Sequence, residues 1–240
     1  MWMHPDQMGS AGASVFYLGL AGVLATMYFW WADVVKEAHA GDHTPVVSLH
    51  LRYGMILFIA SEVMFFVAWF WEFFEMAIYH TLRANPEHSD LANPALEPLL
   101  KWSEWPIAQT DGSAVRPFDP FHLPLINTLI LLLSGTTVTW AHHALQSGDR
   151  KGAKIGLLLT VILGMAFTAL QVIEYSEAGF SYDGSIYGSA FFMATGFHGA
   201  HVVIGTIFMF VVLLRGLGGQ FSEKNHEAVE ACSLYWHFVD

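Results

Sequence analysis

Residues Leu57–Trp71 read LFIASEVMFFVAWFW, with a single ionisable side chain, Glu62. They sit inside a longer apolar stretch, Gly54–Tyr79. A bilayer core about 30 Å thick needs about 20 helical residues at about 1.5 Å each, so this stretch is long enough to cross. Four others are comparable: Ser14–Trp31, His122–Leu145, Ile155–Ile173 and Tyr187–Leu214. Backbone groups in lipid must be paired internally, and none of these stretches alternates apolar with polar as a barrel strand does. The spans are therefore helices. The leader MWMHPDQMGS has no Lys or Arg and no cleavage site follows Trp30-Trp31, so the first span reads as a retained helix.

Composition agrees. Of 240 residues, 54% are hydrophobic, 15% aromatic and 13% charged, whereas soluble domains carry roughly 25% charged residues. Mean hydropathy is +0.43. The aromatic content excludes a disordered chain, the lone Cys232 excludes a disulfide framework, and the net charge of -11 argues against nucleic acid as a partner. After Lys224 the chain turns apolar and aromatic again through Tyr235, Trp236 and Phe238 to Asp240. That pattern reads as the start of a sixth helix. The fold class expected is an all-α membrane bundle of five full spans plus that start.

Basic residues orient the spans. Lys36 and Arg52, then Arg150, Lys151 and Lys154, then Arg215 and Lys224 all fall on one side. Only Arg83, Lys101 and Arg116 fall on the other, all in the long connection 81–121. Loops 32–53, 146–154 and 215–228 are thus expected to face the cytoplasm or the mitochondrial matrix. The connection 81–121 holds six prolines and reads as an insertion at the outer surface.

Polar residues at span depth are the functional candidates. Glu62 lies about 12 Å from the inner edge, and His198 and His201 about 9 to 14 Å, counted at 1.5 Å per residue. Their depths suit a hydrogen bond from Glu62 to either imidazole, or a metal site short of a further ligand. The hydrogen bond is the simpler reading. His142 and His143 lie near the inner end of span three, roughly 10 Å in depth from His198, a poor pair for one haem. No metal site and no catalytic centre is expected in this chain. Gly188, Thr195, Gly199 and Thr206 fall within about 20° of one line on span five, a stripe expected to pack against another helix, within the chain or in another subunit. Trp30 and Trp31, followed by Lys36, have the composition of an interfacial anchor.

Read together, WWADVVKEAHAGDHTPVV, LRYGMILFIASEVMFFVAWFW, WAHHAL with GDRK, LQVIEYSEAGF, ATGFHGAHVVIGT and YWHFVD resemble cytochrome c oxidase subunit III, in the family's order and over almost the whole chain beyond Trp30. The resemblance implies an accessory core subunit of a haem-copper oxidase in aerobic respiratory electron transport. Its partners would be subunit I, as the main contact, and subunit II, which together hold the haems and coppers. This chain would hold no redox centre, would bind phospholipids, and would support subunit I in stability and proton uptake. A quinol-oxidising relative is the alternative; HHAL…GDRK and HTPVV favour the cytochrome c branch. The membrane implied is the bacterial cytoplasmic or mitochondrial inner membrane.

Carried over by position, Glu62 matches the family's carbodiimide-reactive glutamate. Trp30, Trp31, Glu37, His43 and Arg52 match lipid-cleft positions, and Arg215 and His226 match positions near headgroups. Lys36 stands where some members have Arg, which keeps charge and loses bidentate phosphate binding. The family fold has seven helices, two set apart from five. The chain is accordingly expected to be one subunit III-like domain over 1–240 lacking the first helix and most of the last, with 1–53 the remnant of the helix pair and its inner loop and 54–240 the main bundle.

Overall fold

The computed structural model describes residues 10–83, 105–109, 112–222 and 226–240. Its helices are α1 (Ser10–Ala40), α2 (Pro45–Arg83), α3 (Leu123–Gln146), α4 (Arg150–Ser176), α5 (Ile186–Leu217) and α6 (Glu227–Val239). The first five are long and apolar enough to cross a membrane. Lys224 and positions 84–104 and 110–111 of the long connection lie outside the described residues.

The described helices run beyond the apolar stretches. The expected inner loop 32–53 shrinks to the short link 41–44, because Lys36 and Glu37 continue α1 and Arg52 belongs to α2. Alanine, glutamate and lysine are good helix formers and carry the helix into the polar interface. It ends where Gly41 adopts φ +83, a left-handed conformation that glycine enters without steric cost. Pro45 then opens α2, where its missing N–H is no loss, and the Thr44 hydroxyl accepts from Val47 N–H at 3.4 Å. At its other end α2 departs from helical geometry at Tyr79 (φ -110, ψ 16) and continues to Arg83.

The chain divides into two compact units, 1–54 and 55–240. In the first, α1 leaves nearly all its large apolar side chains exposed, Trp30 at 69% and Trp31 at 60% among them. Lys36 Nζ lies 3.0 Å from Asp33 Oδ1 on its surface.

In the second unit, α3, α4, α5 and α6 form a closed ring of neighbours. Gly148 (φ +80) allows the tight turn between α3 and α4, and Asp149 caps α4 by accepting from the backbone N–H of Lys151 (3.1 Å) and Gly152 (2.9 Å). Ser185 caps α5 through Gly188 N–H at 3.1 Å. At the centre is Trp236 of α6, fully buried. Its indole N–H donates to Ser134 Oγ of α3 at 2.9 Å. The ring fits because Gly164 of α4 and Gly205 of α5 have no side chain there: a Cβ would approach it to 2.8 Å and 2.9 Å respectively. In lipid, helix association depends on such close packing and on interhelical hydrogen bonds rather than on water exclusion.

The described part of the long connection is more than a surface insertion. Val115 is buried with Phe180 and Tyr187, and Trp105 and Phe118 pack against them. Together they form an aromatic cap over the end of the bundle where α5 begins.

Trp236→Ala is expected to destabilise the detergent-solubilised chain by about 3 kcal/mol through the cavity it leaves. Ser134→Ala should cost about 1 kcal/mol for the unpaired indole N–H. Thermal unfolding followed by helical circular dichroism checks both.

Candidate functional site

α2 joins the rest of the second unit mainly through rings. Phe65 meets Phe197 of α5 edge-on at 4.9 Å, Trp69 stacks on Phe197 at 5.3 Å, and Phe66 lies 5.9 Å from Phe238 of α6. Within this aromatic layer Glu62 Oε2 lies 2.8 Å from His201 Nε2. Their side chains are 22% and 13% exposed, and this is the carboxylate–imidazole contact at span depth. The helical repeat puts Glu62, Phe65, Phe66 and Trp69 on one face of α2, so the only charged residue of the stretch shares a face with three of its rings.

His201 is held from three sides. Its Nδ1 lies 2.6 Å from the Phe197 carbonyl one turn earlier, the Phe66 ring is 5.1 Å away, and Tyr235 O–H donates to the His201 carbonyl at 3.5 Å. A carbonyl only accepts, so Nδ1 carries a hydrogen.

His198 takes no part in this contact. About 60° round α5 from His201, it meets Phe167 of α4 edge-on at 5.7 Å. It lines a cavity of about 380 Å³ between α3, α4 and α5, together with Asn127, Gln171, Glu174, Thr195 and Asp240. Asn127 and Glu174 are 2% and 6% exposed. Both amide atoms of Asn127 and Oε2 of Glu174 have no partner among the described residues. The sequence reading passed over both: Asn127 lies in an otherwise apolar run, and Glu174 sits near a span end where water is normally within reach. Glu72 likewise has a buried Oε2 without a partner among the described residues.

The other histidines stay apart from Glu62. His142 and His143 stack at 6.0 Å, and His226 lies 5.7 Å from His142. Gln146 bridges the first two: its amide N–H donates to His142 Nε2 at 3.2 Å, and its Oε1 is 3.3 Å from His143 Nδ1. His237 Nε2 lies 2.9 Å from Thr139 Oγ1. Among the described residues no three His, Cys, Asp or Glu side chains are placed to hold a metal ion.

The small-residue stripe of α5 meets several neighbours. Gly188 abuts the backbone of Ser181 and Thr206 approaches Gly164 of α4. Thr195 Oγ1 accepts from Tyr175 O–H of α4 at 2.7 Å. Gly199 faces open space.

The positions matched to lipid sites fall in both units. Trp30, Trp31 and Glu37 are exposed on α1, His43 is half-buried in the link, and Arg52 is exposed on α2. In the second unit, Arg215 Nε donates to Gln220 Oε1 at 2.9 Å and its guanidinium lies 5.0 Å over the Phe221 ring. His226 precedes α6, with Nδ1 3.3 Å from the Ser222 carbonyl.

A set of membrane-length helices packed through glycines and rings, with a carboxylate–imidazole contact joining α2 to α5 at span depth, defines an integral membrane protein of the helical-bundle class. The chain belongs to the cytochrome c oxidase subunit III family, whose pattern it matches over residues 1–240. It is 48% identical to cytochrome c oxidase subunit 3 of Triticum aestivum over 241 residues and 48% identical to that of Cyprinus carpio over 242 residues. The corresponding protein of Xenopus laevis is 46% identical. Each comparison covers 100% of this chain and 82% of the relative. The chain is part of the cytochrome c oxidase complex and assembles with other oxidase subunits.

His201→Phe, which keeps a ring and removes the nitrogens, is expected to destabilise the bundle by about 1–3 kcal/mol by leaving Glu62 without its partner. His198→Phe should leave the Glu62 contact intact and lower the melting temperature less. Paired thermal unfolding of the two variants in one detergent decides the point.

Proposed function

We propose that this chain is an accessory subunit that holds structural phospholipid at the oxidase surface, stabilises subunit I and supports its proton uptake. The haems and coppers belong to subunits I and II, and Glu62 serves as an interhelical hydrogen-bonding group rather than a metal ligand. The observation that carries this reading is family membership over the whole chain. Exposed indoles at Trp30 and Trp31, with Arg52 also exposed, give it a physical basis.

The donors suit a phospholipid headgroup. Indole N–H groups and guanidinium ions favour the interface, where one end of the side chain is apolar and the other wet. Trp30, Trp31, His43 and Arg52 would contribute from the first unit, Glu37 lying beside them in sequence. Arg215 and His226 would serve a headgroup on the second unit by itself, the Arg215 guanidinium being oriented by Gln220 and Phe221. A bound phospholipid supplies an anionic phosphate and two acyl chains that cover apolar helix surface. The excess of basic residues at Lys36, Arg52, Arg150, Lys151, Lys154 and Arg215 supports a cytoplasmic or matrix location for those helix ends.

Arg52→Ala and Arg215→Ala are each expected to lower the phospholipid retained per purified oxidase, with the haem spectrum unchanged. Phosphorus assay and lipid mass spectrometry on the intact complex measure this. Undiminished lipid in the double variant would reject the headgroup role.

A further inference from the structure

Three observations bear on the proton content of the Glu62–His201 contact. His201 Nδ1 is 2.6 Å from the Phe197 carbonyl. His201 Nε2 is 2.8 Å from Glu62 Oε2. The imidazole is otherwise surrounded by the rings of Phe65, Phe66 and Phe238, at 6.3, 5.1 and 6.3 Å.

The Phe197 carbonyl has no hydrogen to give, so the Nδ1 contact requires Nδ1–H. The nitrogen facing Glu62 is then either a bare acceptor or the second N–H of an imidazolium. A bare Nε2 facing a bare carboxylate would set two acceptors against each other at 2.8 Å. One proton must therefore lie between them. With it on oxygen, the carboxyl donates to a neutral imidazole; with it on nitrogen, an imidazolium donates to a carboxylate. The pair sums to zero charge either way, as a membrane interior of low polarity favours.

We propose that Glu62 and His201 share this single proton as a net-neutral latch between α2 and α5, and that the Phe197 carbonyl fixes the imidazole in its Nδ1–H form. Phe197 is then a positioning residue acting through its backbone. The other titratable groups facing the pair are His198 on α5 and Tyr235 on α6, whose phenol is turned to the His201 carbonyl. The latch rests on the proposed function only for the assembly in which it is tested.

Glu62→Gln discriminates. A glutamine amide can donate its N–H to a bare Nε2 or accept from Nε2–H through its oxygen, so Glu62 no longer constrains the tautomer and only the Phe197 carbonyl does. The test is nitrogen-15 solid-state NMR of the assembled oxidase carrying histidine-labelled chain, the His201 signals being those lost in His201→Gln. The expected result is a protonated Nδ1 in both the native protein and Glu62→Gln, with a neutral ring and bare, hydrogen-bonded Nε2 in the variant. A neutral ring protonated at Nε2, in either protein, overturns the proposal. The native spectrum alone suffices if the variant fails to assemble. Absence of the labelled chain from the purified oxidase would instead contradict the proposed function, so the two failures are distinguishable.

Discussion

A carboxyl group about a third of the way along a fifteen-residue apolar stretch would be costly in a bilayer without a partner, and the arrangement around α2 answers that cost. Burying an unpaired polar group costs several kcal/mol in surroundings with no hydrogen-bonding solvent. Glu62 meets His201, and the rings on the same face of α2 pack against Phe197 and Phe238. The hydrogen bond fixes register; the rings supply contact area on either side of it. Aromatic pairs at these separations favour edge-on and offset geometries, which lets bulky side chains join helices without close backbone approach.

Elsewhere in the second unit the opposite device operates. Trp236 enters a space made by Gly164 and Gly205, and Ser134 receives its N–H. One large residue on α6 thus touches α3, α4 and α5 together. Two further hydroxyl contacts, Thr137 with Thr160 at 2.7 Å and Tyr175 with Thr195 at 2.7 Å, bind α4 to its neighbours. These are the direct polar links expected where water is scarce.

The spans were plain in the sequence, because runs of about twenty apolar residues have few other uses. Their ends were not: helix propensity carries α1 through Lys36 and Glu37 to Ala40, past the last apolar residue of the run. Depth along the helix could place Glu62 level with His198 and His201 but could not choose between them. That choice depends on which face of α5 turns to α2, a matter of tertiary packing. The seat of Trp236 was hidden for a similar reason, since its glycines come from two other helices, distant in sequence. The capping role of Trp105, Val115 and Phe118 depends on partners about 65 residues or more downstream, near the start of α5. The apolar and aromatic residues inside an otherwise polar connection were its available signal.

The coupling between Glu62 and His201 is the quantity on which the attachment of α2 depends most directly. A double-mutant cycle with Glu62→Ala, His201→Ala and the pair together, read as unfolding free energies of the assembled subunit, measures it. Coupling of about 1–3 kcal/mol, with the double variant less destabilised than the sum of the singles, is the expected result. Additivity within about 0.5 kcal/mol would show that the two side chains do not hold the helices together.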